Sequence, residues 1–163
     1  MKLEIRDARP DDVPELAALL NEIVTIGGTT AREDPISEAD FTSHYLQSAG
    51  YVSCVVAVGA DGVLYGFQAL ERMDTLPDGW ADIGSFARVE PRVPGVGRAM
   101  FAETIRRARA AGVTTINARI RADNVPGLGY YTSMGFVDYD VIRAQPLKDG
   151  RPMDRLLKRY DLA

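Results

Sequence analysis

The stretch PRVPGVGRAMF, Pro91 to Phe101, decides how the rest of the chain is read. Upstream, WADIGSFARV alternates in the manner of a strand; downstream, RAMFAETIRRARAAG repeats with helical period. Met100, Phe101, Ile105 and Ala108 make the apolar side of that helix, Glu103, Arg106, Arg107 and Arg109 face water, and Gly112 closes it. A helix start carries unpaired amides and a partial positive charge, so a strand-to-helix joint is a natural anion site. Gly95 and Gly97 keep side chains off its backbone, and Arg92 and Arg98 add charged donors. A plain turn from strand to helix would use the same glycines. Two other phosphate loops are excluded: no Gly-x-x-x-x-Gly-Lys-[Ser/Thr] string exists, and Met100 occupies the place of the third glycine in a dinucleotide fingerprint.

Working outward, KLEIRDA reads as a short strand, and Asp11 and Asp12 stand where they could cap a helix over VPELAALLNEIVTI, ended by Gly27-Gly28. The loop GGTTAREDPIS leads to a second helix in SEADFTSHYLQSAG. YVSCVVAV then puts Val52, Cys54, Val56 and Val58 on one face, and the GADG turn joins it to VLYGFQALERM as a hairpin. Beyond the joint, VTTINARI alternates Ile116, Ala118 and Ile120 against Asn117, Arg119 and Arg121. VPGLGYYTSMG is a short helix, and the remainder forms two strands around KDGR. The order is β-α-α-β-β-β-α-β-α-β-β, an α/β or α+β sheet domain spanning residues 1–163 as one unit.

With 163 residues, 46% of them hydrophobic, the chain can bury one sizeable core. A formal charge of -4 gives no basic field for nucleic acid, and no apolar run suits a membrane helix or a signal peptide, so neither partner and a cytoplasmic location are expected. Cys54 is the only cysteine, which excludes internal disulfides; its apolar setting suits a core residue. His44, the single histidine, sits on a helix with no Gly-x-Ser-x-Gly elbow anywhere, so it reads as a surface or packing residue. Asp11-Asp12 fit a cap, and Glu33-Asp34 a solvated loop, better than paired catalytic carboxylates. No metal site is suggested by spacing.

Around the joint several residues fall in an order that resembles the GNAT acetyltransferases. That family's acyl-CoA signature is Arg/Gln-x-x-Gly-x-Gly/Ala between its fourth strand and third helix, matched here by Arg92-x-x-Gly95-x-Gly97. Further on, RADNVPGLGYYTSMGF supplies the family's asparagine, tyrosine and Gly-Phe as Asn124, Tyr131, Gly135 and Phe136. Both ends of the chain resemble the branch of phosphinothricin acetyltransferase and related amino-acid N-acyltransferases, while the loop TIGGTTAREDPIS departs from it.

The resemblance implies a mixed, mostly antiparallel sheet with splayed fourth and fifth strands, flanked by about four helices. It implies acetyl-CoA as cosubstrate, a small-molecule amine as acceptor, direct transfer in a ternary complex, and a homodimer. Amides near Val93 and over Gly95, Val96, Gly97 and Arg98 would cradle the pyrophosphate. Ser85, Phe86 and Ala87 would pair with the pantetheine arm, with Asn124 beside it. Tyr131 is the match for the acid that protonates the leaving thiol; Tyr130 beside it reads as packing. For the base, an ungapped alignment selects Asp82, whereas a gapped one puts Gly84 there and leaves the base unassigned. A non-catalytic acyl-CoA-binding domain on the same fold is the rival reading, and Tyr131 with a working base would separate the two.

Overall fold

The first hairpin forms where the alternation requires it. In a computed structural model, which describes residues 1–162, strands Tyr51–Gly59 and Leu64–Glu71 pair antiparallel across the turn at Ala60–Val63. Numbering in chain order, they are β2 and β3; β1 is Leu3–Asp7, β4 Trp80–Ala87, β5 Thr115–Arg121, β6 Val137–Pro146 and β7 Pro152–Asp161. They make one sheet in the order β1-β2-β3-β4-β5-β7-β6, antiparallel throughout except for β4 and β5. The helices are α1 (Val13–Ile26), α2 (Glu38–Phe41, running into a π-helical turn at Thr42–Leu46), α3 (Val96–Ala110) and α4 (Val125–Met134). The element order is the one read from the sequence.

Helices cover both faces of the sheet, so β2 is apolar on both sides. Cys54 and Val56 join Leu16, Leu20, Phe41 and Phe67 on the α1–α2 face, while Val55 and Ala57 pack with Val96 and Met100 of α3 on the other. The shared face read for Val52, Cys54, Val56 and Val58 holds for the last three; a register shift between Tyr51 and Ser53 puts Val52 in the other cluster, with Leu70 and Ile83. Burial pushes the Cys54 thiol up to about 12, which leaves it an inert core residue. On α3 the buried stripe is Val96, Met100, Phe101, Thr104 and Ala108.

The parallel pair sets up the site. β4 and β5 are in register only at Trp80–Thr115, Ala81–Ile116 and Asp82–Asn117. Beyond Asp82, β4 continues to Ala87 with β3 alone, and β5 continues to Arg121 with β7 alone. The strands splay, and the β4 edge that faces β5 from Ile83 onward has no ladder partner.

One local expectation is corrected. Asp12 does not cap α1: its carboxylate turns back to accept the Arg9 amide at 2.7 Å and a two-pronged pair from Arg6 at 2.7 and 2.9 Å. Pro14 in the first turn has no N–H to offer it. On β5, Asn117 and Arg121 of the polar set are buried at 4% and 7% exposure, and Arg119 between them is exposed.

Candidate active site

Gly95 and Gly97 turn out to be glycines for different reasons. Gly95 precedes α3 at φ 85°, a left-handed conformation, and a Cβ there would meet nothing within 4 Å. A Cβ on Gly97 would lie 2.5 Å from Cε1 of Tyr130, so Gly97 is fixed by ring packing rather than by room for an anion. Tyr130 seals that contact by donating its hydroxyl to the Gly97 carbonyl at 2.8 Å. The first amide of α3 to reach a helical acceptor is Ala99, on Gly95 O at 3.0 Å. The amides of Val96, Gly97 and Arg98 ahead of it are the orphans of the helix start. Arg92 and Arg98 flank them, both exposed and, among the described residues, in no ion pair.

From this joint a cleft of about 1080 Å³ runs along the splay. Every residue named for the site from the sequence lines it: Asp82, Ser85 to Ala87, Arg92, Val93, Gly95 to Arg98, Asn124 and Tyr131. Alternation along β4 sends Ser85 to the α3–α4 face and Asp82, Gly84 and Phe86 to the α1–α2 face. The two candidate proton carriers thus approach the opening from opposite sides of the sheet.

On the α4 side, the Tyr131 hydroxyl donates to Ser85 Oγ at 2.8 Å. Gln68, fully buried on β3, donates to the same Oγ at 2.9 Å and to the Tyr130 hydroxyl at 3.1 Å. Burial raises the Tyr131 phenol above its ordinary value, and the Asp82 charge raises it further, so it keeps its proton at neutral pH. On the other side, Asp82 Oδ1 accepts from Asn117 Nδ2 at 2.8 Å. Asn117 is oriented in turn by the Tyr139 hydroxyl, which donates to its Oδ1, and Tyr139 packs edge-on against Trp80. Burial pushes Asp82 up to about 6, with the Asn117 hydrogen bond opposing the rise.

Asn124 caps α4, its Oδ1 accepting from the Gly127 amide at 3.0 Å and its Nδ2 donating to Thr29 O at 3.2 Å. His44 is exposed at the mouth of the cleft. Glu33 and Asp34, read as solvated charges, tie their loop to the turn before β7: Glu33 accepts from the Lys148 amide at 2.8 Å, and Asp34 pairs with Lys148 Nζ.

Gln68, Asn117 and Tyr139 are site residues that the sequence does not single out. A lone amide in the buried run GFQAL is the one legible hint, because a polar side chain in a doubly covered strand must have partners. Asn117 and Tyr139 give none, since their pairing crosses from β5 to β6.

The parallel pair that parts after three residues, together with a bare-amide helix start at the end of the opening, is the arrangement that the GNAT resemblance implies. The chain matches the acetyltransferase (GNAT) family over residues 17–136 and belongs to it. It is 30% identical over 168 residues, covering 99% of this chain and 96% of that protein, to the L-methionine sulfoximine/L-methionine sulfone acetyltransferase of Pseudomonas aeruginosa. Among solved structures it resembles a phosphinothricin acetyltransferase from Sinorhizobium meliloti in complex with acetyl-CoA. That match has a TM-score of 0.86 at 24% identity and covers 100% of this chain and 90% of the other. An N-acetyltransferase from Staphylococcus aureus Mu50 superposes with a TM-score of 0.87 at 17% identity over the full length of both chains. The named relatives are catalysts, which favours an N-acetyltransferase over a non-catalytic binding domain.

Proposed function

We propose that this chain is one acyltransferase domain, residues 1–163, which uses acetyl-CoA to acetylate the primary amine of a small amino acid or analogue in a ternary complex. The observation that carries the proposal is the splay, with Asp82 and Tyr131 entering it from opposite faces and orphan amides at its end. The named activity of the Pseudomonas relative supports the amino-acid class.

The residues present fit acetyl-CoA. The amides of Val96, Gly97 and Arg98, with Arg92 and Arg98 beside them, would hold its pyrophosphate, and the unpaired β4 edge at Ser85–Ala87 would take its pantetheine arm as a pseudo-strand. Val93 and Asn124 would flank that arm. When bound, acetyl-CoA supplies an activated acetyl thioester. Asp82, ionised above about pH 6 and lining the cleft, removes a proton from the ammonium form of the acceptor, directly or through one water. Tyr131, held protonated, offers its hydroxyl proton to the leaving thiolate sulfur, and Ser85 can then donate to the phenolate oxygen that remains on Tyr131. No step needs a metal or an acyl-enzyme residue.

A homodimer and a cytoplasmic location belong to the same proposal. β6 is an edge strand with Val137, Tyr139 and Val141 exposed, which supports a second copy as its partner. Among the described residues no helix is long and apolar enough to cross a membrane, and the net charge of -4 disfavours nucleic acid.

The test is thiol release from acetyl-CoA with L-methionine sulfone, L-phosphinothricin, ordinary amino acids and a simple alkylamine as acceptors. Release is expected on the amino-acid group. Tyr131→Phe should lower turnover roughly 10- to 1000-fold, at and below the range of general-acid contributions, and leave the acetyl-CoA Kd unchanged. Ser85 Oγ keeps Gln68 as a partner in that variant, so the fold should hold. Tight acetyl-CoA binding with no release on any amine would restore the binding-domain reading.

A further inference from the structure

Two residues past Asp82's partner Asn117, the same face of the sheet turns strongly basic. β5 places Arg119 and Arg121 on that face, and Arg155 of β7 stands directly opposite Arg121 in the ladder. Arg119 and Arg121 line the cleft. Arg155 is only 5% exposed, yet its Nε and Nη1 find no acceptor among the protein's atoms. Its guanidinium is held below the usual arginine range by burial first, then by Arg119 and Arg121.

Compensation is thin. Asp123 gives both oxygens to Arg121, with Nε and Nη2 at 2.9 and 2.8 Å, and together with Glu33 it favours the Arg155 charge only at a distance, without a hydrogen bond to it. Glu33 lies near but gives an oxygen to the Lys148 amide. Arg119 donates to Gln145 Oε1 at 2.5 Å, a neutral acceptor. A buried guanidinium without an acceptor, beside two others, is a costly arrangement that an anion would relieve.

We propose that Arg119 and Arg121, which line the cleft, with Arg155 behind Arg121 on β7, form a docking site for the acceptor's α-carboxylate, which makes the enzyme selective for α-amino acids and their analogues over plain amines. This rests on the N-acetyltransferase reading of the same cleft. The spacing fits: Arg119 lies about 7 Å along β5 from Asn117, which is paired with Asp82. A guanidinium there can reach back toward a carboxylate whose adjacent amine sits at Asp82. Planar, two-pronged recognition of a carboxylate is what arginine does better than lysine. The basic side chains at the joint, Arg92 and Arg98, lie at the other end of the opening and are left for phosphate.

The experiment compares L-methionine sulfone with its carboxamide, which keeps the amine and the side chain and loses the charge. Binding to the CoA-loaded protein is measured by calorimetry, and thiol release in parallel. The acid should bind at least tenfold more tightly than the carboxamide. Arg119→Gln, a change at an exposed side chain, should weaken the acid roughly 10- to 100-fold, the range of charge-assisted hydrogen bonds, and leave the carboxamide unchanged. Arg155→Lys, which keeps the charge and loses the fork, should weaken the acid alone by a smaller factor. Equal loss on both ligands, or a wild type that does not distinguish them or binds neither, overturns the docking site. Discrimination in binding without any thiol release would instead remove the transferase reading and leave the docking site standing.

Discussion

The two ends of the cleft are built in opposite ways. The joint at Gly95–Arg98 is one continuous segment, a left-handed glycine and a helix start between two flanking arginines, with Tyr130 as its distant support. The acceptor end is assembled from β4, β5, β7 and the Thr29–Asp34 loop, and apart from the Arg121–Asp123 pair its polar contacts join residues far apart in the chain. Asp82 meets Asn117, Asn124 meets Thr29, and Glu33 meets Lys148. A short segment can carry phosphate binding through successive rare choices of residue. A specificity pocket needs no rare residue at any one position, because its shape comes from packing.

The sharpest way to break this contrast is at the joint. Gly97→Val forces a branched side chain into the Tyr130 ring, where even a Cβ would approach to 2.5 Å. It should cost about 1–3 kcal/mol or more in stability and abolish the thermal shift given by acetyl-CoA, which is about 2.7 kcal/mol at a hundredfold excess over Kd. Gly95→Ala meets open space and pays only for its left-handed backbone, about 1–2 kcal/mol. Thermal scans of both variants with and without millimolar acetyl-CoA check the difference. If Gly97→Val keeps the wild-type shift, the cradle is elsewhere.

That difference also marks how far the sequence could be read. The periods of the strands and of α3 were legible because burial acts residue by residue on a regular backbone. Gly97 stood out as a required glycine, but its reason was not legible, since Tyr130 lies 33 residues further on. The hydrogen bond that sets Asp82 runs to Asn117, and the one that sets Asn117 runs to Tyr139; nothing local announces either. Alternation in VTTINARIR puts Arg119 and Arg121 on the face opposite Ile116, Ala118 and Ile120 and says nothing of what covers that face. They are cleft residues because the Thr29–Asp34 loop folds over that face, with the Thr30 carbonyl 3.4 Å from Arg121 Nη1.

Asp82→Asn tests the acceptor end, with a smaller and pH-dependent effect. The carboxyl sits at about 6 in the fold against an ordinary 3.8, because burial disfavours its charged form. The protonated form is therefore the one the fold prefers: its contribution is complete below the ordinary value and is lost as pH rises through about 6. A rise of this size corresponds to about 3 kcal/mol. The amide of the Asp82→Asn variant carries no charge at any pH, so that protein should be more stable than wild type at about pH 8, by up to that amount, and equal to it near pH 4. At about 2–4 °C per kcal/mol for a domain of this size, the difference is readable in Tm. Acetyl transfer should move the other way, falling roughly 10- to 100-fold at neutral pH and recovering in part as pH rises and more of the amine arrives neutral. A variant that is no more stable at pH 8, yet equally active from about pH 6 to about pH 9, would remove Asp82 as the base and return to water or the substrate itself as proton acceptor.

The smallest effect is expected where the acceptor loop is tied down by surface charge. Lys148 holds this loop twice, through its amide to Glu33 at 2.8 Å and through its ammonium to Asp34. Lys148→Ala removes only the second contact. The two side chains of that pair are about two-thirds exposed, at 66% and 65%, so water and salt screen the pair and it adds little to stability. The backbone link to Glu33, the Asn124–Thr29 bond and the Arg121–Thr30 contact all survive the change. Tm should therefore hardly move, acceptor KM should change by less than about fivefold, and the acetyl-CoA Kd not at all. A tenfold or larger rise in acceptor KM, with Tm unchanged, would mean that one exposed ion pair sets the loop's position. The acceptor end would then hang on a single contact, much as the joint depends on Gly97, and the contrast between an end set at one position and an end set by packing would fail.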